Sequence, residues 1–344
     1  MKISIGTKIK DGPWGGGNLF AINLSNFLES NGHQVVFDLK DNNIDLILIT
    51  EPRKTSESSA FTHIDVQKYK KFVNSKVIVV HRINECDERK KTNYVNKYLI
   101  YANRIADQTV YVSKWLMDLY LNQGIKSIHN KVIYAGADEK IFFPTIKTGK
   151  KENKKLKICT HHWGDNWNKG FDAYLLLDGL LNNEYWKERI EFTYIGKVNK
   201  NANFKNTKLI KPISGETLAN ELRNHDLYIT GSINEPSGNH HIEAAQCGLP
   251  IMFIDSGGVS EYCKDFGIEY NLDNFEQKLQ EIINDFYIYQ KKMINYPHTS
   301  TKMCTEYLEL FNSLVKNNTL STKNSFSIEG IIYKFSRNLR NNFF

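Results

Sequence analysis

Short, almost wholly apolar runs recur along this chain, with helix-length stretches between most of them. They include Asp45-Leu-Ile-Leu-Ile-Thr50, Lys76-Val-Ile-Val-Val80, Thr109-Val-Tyr-Val112 and Lys131-Val-Ile-Tyr134. A strand without polar alternation must be covered on both faces, as it is in a parallel sheet flanked by helices. Residues 2–6 read as the first strand and Gln34-Val-Val-Phe-Asp38 as the next. Between them Asn18 is predicted to cap a helix with Phe20, Leu24, Phe27 and Leu28 on one face, ended by Asn31-Gly32. After a polar, Lys-rich stretch at 145–155 the pattern restarts with Leu156–Thr160, Ile190–Ile195, Asp226–Thr230 and Ile251–Ile254. The expected fold is α/β, with two doubly wound, Rossmann-like parallel-sheet domains facing each other across a cleft. The expected divisions are 1–147, 148–300 and a C-terminal helical extension over 301–344 that returns to the first domain.

The length of 344 residues suits two cores better than one. A net charge of +7 is compatible with nucleic acid, a membrane surface or an anionic substrate, and also with a chain simply rich in Lys and Asn. No basic run is long or interleaved with aromatics, so nucleic acid is not an expected partner. Five scattered cysteines with no Cys-x-x-Cys argue against a disulfide framework and for a reducing compartment. The N-terminus lacks an apolar signal core, and no apolar run nears the roughly 20 residues that span a bilayer. A cytoplasmic protein is expected. Residues 328–344 put Ile328, Ile331, Ile332, Phe335, Leu339 and Phe343 on one helical face, with Lys334, Arg337 and Arg340 elsewhere. Such a helix can lie on the cytoplasmic face of a membrane or pack back on its own protein.

Three loops carry chemistry. Gly15-Gly16-Gly17 precedes a helix, where a glycine backbone can approach an anion closely, although a plain turn uses the same residues. It fits neither a dinucleotide fingerprint nor a P-loop. Thr160 to Gly170 joins a strand to a helix and places Lys169 where the helix dipole disfavours a cation; a bound phosphate would relieve that conflict, and a simply exposed lysine fits the same position. Glu235-Pro-Ser-Gly-Asn-His-His-Ile-Glu243 sets two carboxylates eight positions apart around a turn that opens a helix, with Glu243 about two turns inside. Carboxylates accept from neighbouring hydroxyls, as on a ribose, and a turn residue plus a helix-surface glutamate is the plainer reading. The pairs His161-His162 and His240-His241 are poor chelates, and no Asp-x-Asp occurs, so no metal site is expected.

Together these segments resemble glycosyltransferase family 4, retaining enzymes of the GT-B fold. The resemblance rests on Gly15-Gly-Gly-Asn through Gly32-His-Gln-Val35, Val112-Ser113, Gly136-Ala-Asp138, Lys169-Gly170, His225-Asp226, and Glu235 and Glu243 followed by Ala-Gln-Cys-Gly-Leu-Pro250. It spans roughly residues 2–315. It implies sugar transfer from a nucleotide-sugar donor (UDP- or GDP-linked) to a carbohydrate or lipid-linked acceptor, with configuration retained and no metal or other cofactor. By resemblance Lys169 meets the donor diphosphate, Glu243 the ribose and Glu235 the donor sugar. Gly238, Asn239 and His240 lend backbone N–H groups, Gly16 and Gly17 face the diphosphate, and His81 stands near the transferred sugar. The family often has an arginine shortly before its Lys-Gly pair. Here Trp163–Asn168 has none, which points to Asn166, Asn168 or His162 for that work. The alternatives are another GT-B enzyme, such as an epimerase or a phosphorylase-like protein, and a non-catalytic subunit that binds sugar nucleotides.

Overall fold

The computed structural model describes residues 1–10, 15–126, 128–145 and 155–317. The apolar runs form two parallel sheets of six strands each. The first holds β1 (Lys2–Ile5), β2 (Gln34–Val36), β3 (Leu46–Ile49), β4 (Ile78–Ile83), β5 (Gln108–Tyr111) and β6 (Asn130–Val132) in the order β2-β1-β3-β4-β5-β6. The second holds β7 (Leu156–His162), β8 (Ile190–Gly196), β9 (Lys208–Ile210), β10 (Leu227–Thr230), β11 (Ile251–Phe253) and β12 (Gly267–Glu269) in the order β12-β11-β10-β7-β8-β9. Every residue of β3 and β4 is buried, as their lack of alternation requires. Their register pairs Ile47 with Val79 and Ile49 with His81.

Several local expectations change. The first helix runs Gly16–Ser30 with Gly15, not Asn18, at its N-cap. Asn18 lies inside the first turn, where its side chain accepts from the Lys10 N–H and donates to the Lys10 carbonyl. Two edge strands, β9 and β12, have no counterpart in the sequence reading. Each is only three residues long, and Lys208, Leu209 and Glu269 are exposed, so neither presents an apolar run.

Helix Ser300–Asn317 crosses back to the first domain. Its Met303, Cys304, Tyr307, Leu310 and Phe311 join the core built on β1, β3 and β4. Tyr307 meets Phe20 edge-on with ring centroids 5.2 Å apart. No helix among the described residues is long and apolar enough to cross a membrane. The amphipathic face at 328–344, and most of the stretch at 145–155, lie outside the described residues.

The domains are also joined by hydrogen bonds. Glu261 of the second domain accepts from the Lys114 N–H (2.7 Å) and the Trp115 N–H (2.8 Å), capping a first-domain helix, and from the Tyr134 hydroxyl (3.0 Å). Beside it the Tyr262 hydroxyl donates to the Val112 carbonyl and accepts from the Ala135 N–H.

In each sheet the strand order reverses once, between β1 and β3 in the first and between β7 and β10 in the second. The loops leaving adjacent strands there diverge to opposite faces, which opens a crevice at the carboxyl ends. Those loops, with the strand and helix ends that border them, carry Gly15–Gly17 and Thr50-Glu51 on one side, and His161–Lys169 and Ser232–Gly238 on the other.

Candidate functional site

A cavity of about 560 Å³ opens where the two crevices meet. Its walls bring together Gly16, Gly17, Lys169, Glu235, Gly238, Asn239, His240 and Glu243, all named from the sequence. Glu235 and Glu243 are both nearly buried, at 6% and 7% exposure.

Glu235 leaves the loop after β10. Its Oε2 accepts from Lys169 Nζ at 2.7 Å and its Oε1 from Arg89 Nε at 2.9 Å. Burial alone would push the pKa of the Glu235 carboxyl up, but the facing Arg89 and Lys169 cations hold it well below the usual carboxylate range. Arg89 also donates to both oxygens of Glu85. Glu235 pushes the Arg89 guanidinium further toward its charged form. Arg89 belongs to the short first-domain helix Asp87–Lys90, so this ion-pair network crosses the cleft.

Glu243 sits in helix Asn239–Gln246, one turn inside rather than two, because the helix begins only at Asn239. Its Oε2 lies 2.9 Å from His161 Nε2 at the end of β7. The imidazoles of His162 and His240 are held neutral. Burial pushes His162 and His240 well below the ordinary histidine value. His162 is bonded to Tyr174 at 2.7 Å and His240 to Thr230 at 2.9 Å. Among the described residues no cluster of His, Cys, Asp or Glu could hold a metal ion.

Two helix N-termini point at this cavity. Neither Gly16–Ser30 nor Asn239–Gln246 has a side-chain cap or an acidic residue in its first turn. Each therefore presents unsatisfied N–H groups and the positive end of its dipole, the arrangement that receives an anion. Two glycines allow this approach. A Cβ on Gly16 would come within 2.9 Å of the Asn239 side chain across the cleft. Gly238 has φ +79°, and a Cβ there would meet the His241 ring at 2.5 Å.

Three sequence candidates, His81, Asn166 and Asn168, stand outside the cavity wall. His81 is fully buried in β4, with Nδ1 2.9 Å from the Asn103 side-chain oxygen, and does not line the cavity. Asn166 is also absent from the wall; its side chain caps the short 3-10 helix Trp167–Lys169 through the Asn168 N–H. The sequence reading missed Arg89, Glu85 and Arg82. Arg89 lies 146 positions from its partner Glu235. Its one local signal is the charge-dense Glu85–Lys91 segment, which reads equally as a solvated turn.

Residues 187–298 match the family model of glycosyl transferases group 1. No curated protein sequence matches the chain. Solved structures of similar fold include a glycosyltransferase from Rickettsia africae, at 16% identity over 92% of this chain and 99% of that one, TM-score 0.62. HepE of Anabaena in complex with UDP-glucose is similar at 15% identity over 91% and 100% of the two chains, TM-score 0.66. Sucrose-phosphate synthase of Thermosynechococcus elongatus is similar at 12% identity over 92% and 99%, TM-score 0.63. A GT-B fold along the whole described chain, with a glycosyl transferases group 1 segment in its second domain, is the architecture of a glycosyltransferase.

Proposed function

We propose that the chain is a retaining glycosyltransferase that moves a sugar from a UDP- or GDP-linked donor to a carbohydrate or lipid-linked acceptor without a metal ion. The observation that carries this reading is one cavity holding Lys169 on Glu235, the buried carboxylate Glu243, and two uncapped helix N-termini. A donor of this kind has two phosphates for the cation and amides, and a ribose for the carboxylate. HepE, similar in fold, holds UDP-glucose in its structure, which favours the uridine donor.

On this reading Glu243 accepts from the ribose hydroxyls. Lys169 and the N–H groups of Gly16, Gly17 and Gly238 to His240 receive the diphosphate, and Glu235 meets hydroxyls of the donor sugar. A second cavity of about 270 Å³ adjoins past Glu243 and is walled by Ile141, Phe142, Ser214 and Leu218, a mixed apolar and hydroxyl lining suited to a base. The bond from the sugar C1 to the diphosphate breaks as the acceptor oxygen bonds C1 on the same face, and the acceptor hydroxyl's proton passes to the departing phosphate oxygen. The charge that grows on the leaving diphosphate is stabilised by Lys169 and the preorganised amides.

Incubation with UDP- and GDP-sugars and candidate acceptors, in the presence of a chelator, tests this directly. Acceptor-dependent release of the nucleoside diphosphate is expected. Its loss on chelation would remove the metal-free part. Conversion of the donor without acceptor would favour an epimerase, and no turnover or binding of any donor would overturn the proposal.

A further inference from the structure

The cations of the cleft are unequally engaged. Lys169 is bound to Glu235, and Arg89 is divided between Glu235 and Glu85. Arg82, from the end of β4, is different. It is 5% exposed, and its Nε has no hydrogen-bond acceptor among the described residues. Its guanidinium lies over the Phe20 ring, 3.9 Å from the centroid. Among the described residues the polar groups that act on it are the hydroxyls of Tyr307 and Tyr262, with no carboxylate, and Tyr307 does not reach hydrogen-bond geometry. Arginine cannot shed its proton to escape this burial. A buried cation resting on one aromatic face and neutral hydroxyls is poorly compensated.

Its position suggests what compensates it. Arg82 lines both cavities, and the residues common to the two walls are Gly16, Leu19, Arg82, Trp163, Asn239 and Glu243. These form the neck between the larger chamber and the smaller one. Gly16 and Asn239 open the two uncapped helices, so their positive ends converge on the same neck.

We infer that Arg82 is a phosphate-binding residue, contributed by the first domain, which pairs with the diphosphate of a nucleotide threaded through the neck between the two cavities. This rests on the donor reading for the nucleotide, but not for the anion site itself. A guanidinium meets phosphate through two parallel N–H groups where the Lys169 ammonium is a single point charge, and Arg82 offers that contact from the first-domain side of the cleft.

The test measures binding of UDP, uridine, GDP, guanosine and inorganic pyrophosphate to the wild-type chain, Arg82→Met and Arg82→Lys. Arg82→Met is expected to weaken the diphosphate nucleotide by roughly 10- to 100-fold, as loss of a charge-assisted contact does, while nucleoside affinity stays within about 2-fold. Arg82→Lys should restore only part of the loss. Ligand-free Arg82→Met should melt no lower than wild type, since it removes an uncompensated buried charge. An equal loss for nucleoside and nucleotide, or a lower melting temperature with an unchanged nucleotide-to-nucleoside ratio, would show a structural role and overturn the inference. If the wild type binds no nucleotide, the donor reading fails. Pyrophosphate binding lost in Arg82→Met would then still support the anion site, and pyrophosphate binding that is absent or indifferent to Arg82 would sink it.

Discussion

Glu235 shows how one side chain is defined by its neighbours. Alone it is a loop carboxylate; between Arg89 and Lys169 it is a buried anion locked in its charged form. Lys169→Met should lower kcat roughly 10²- to 10³-fold, the cost of losing one donor to developing charge, with a smaller change in KM. Steady-state kinetics with a turned-over donor would read it, and an unaffected kcat would remove Lys169 from the reaction. Glu243→Ala should instead act on binding. One charged acceptor lost from the ribose is expected to weaken nucleotide and nucleoside alike by about 10-fold, measured by calorimetry. Lys169 and Glu243 are thus separated by the step each affects, turnover for the lysine and nucleoside binding for the glutamate.

At the scale of elements, the loop after β10 depends on Gly238. Its φ of +79° and the crowding by the His240 and His241 rings leave no room for a side chain. Gly238→Ala should destabilise the fold by roughly 1–3 kcal/mol and displace the N-terminus of helix Asn239–Gln246. A melting temperature equal to wild type would show that the loop adapts freely. The cap that Glu261 places on the helix Lys114–Asn122 joins elements of different domains. Glu261→Ala combined with Tyr262→Phe should raise the radius of gyration in solution scattering and split a single calorimetric transition toward two. An unchanged profile would mean that helix Ser300–Asn317 holds the domains together by itself.

For the molecule as a whole, buried histidines set the response to acid. Burial pushes His81 down to about 4, His241 to about 3 and His298 to about 4 from the ordinary 6.5. The unfolded chain takes up these protons below pH 6.5 while the folded chain does not, so stability is full above that value and falls toward pH 4. His81 contributes on the order of 3 kcal/mol to that loss. Glu235, whose value is lowered by folding, adds stability above its ordinary value of 4.5 and loses it as the medium becomes more acid still. Melting temperature against pH should therefore drop between pH 6.5 and 4, and His81→Asn should flatten the slope. A flat wild-type profile across that window would contradict the burial of these imidazoles as neutral groups.

The sequence by itself determined the doubled α/β architecture, because an apolar run of four to six residues without alternation has few folds open to it. It also marked Gly16, Gly17, Lys169, Gly238, Glu235 and Glu243, whose local spacing around turns and helix starts is chemically legible. Only the tertiary structure decided that Glu235 is shared by Lys169 and Arg89, that Glu243 rests on His161, that His81 turns away into the sheet, and that Arg82 lies buried with no carboxylate acting on it among the described residues. Adjacent strand residues point to opposite faces, so of His81 and Arg82 only Arg82 reaches the cavity wall, a choice of face that no local pattern records. The His161–Glu243 contact, across 82 positions, depends on the strand order within the second sheet, and the Arg89–Glu235 contact, across 146, on how two finished cores pack.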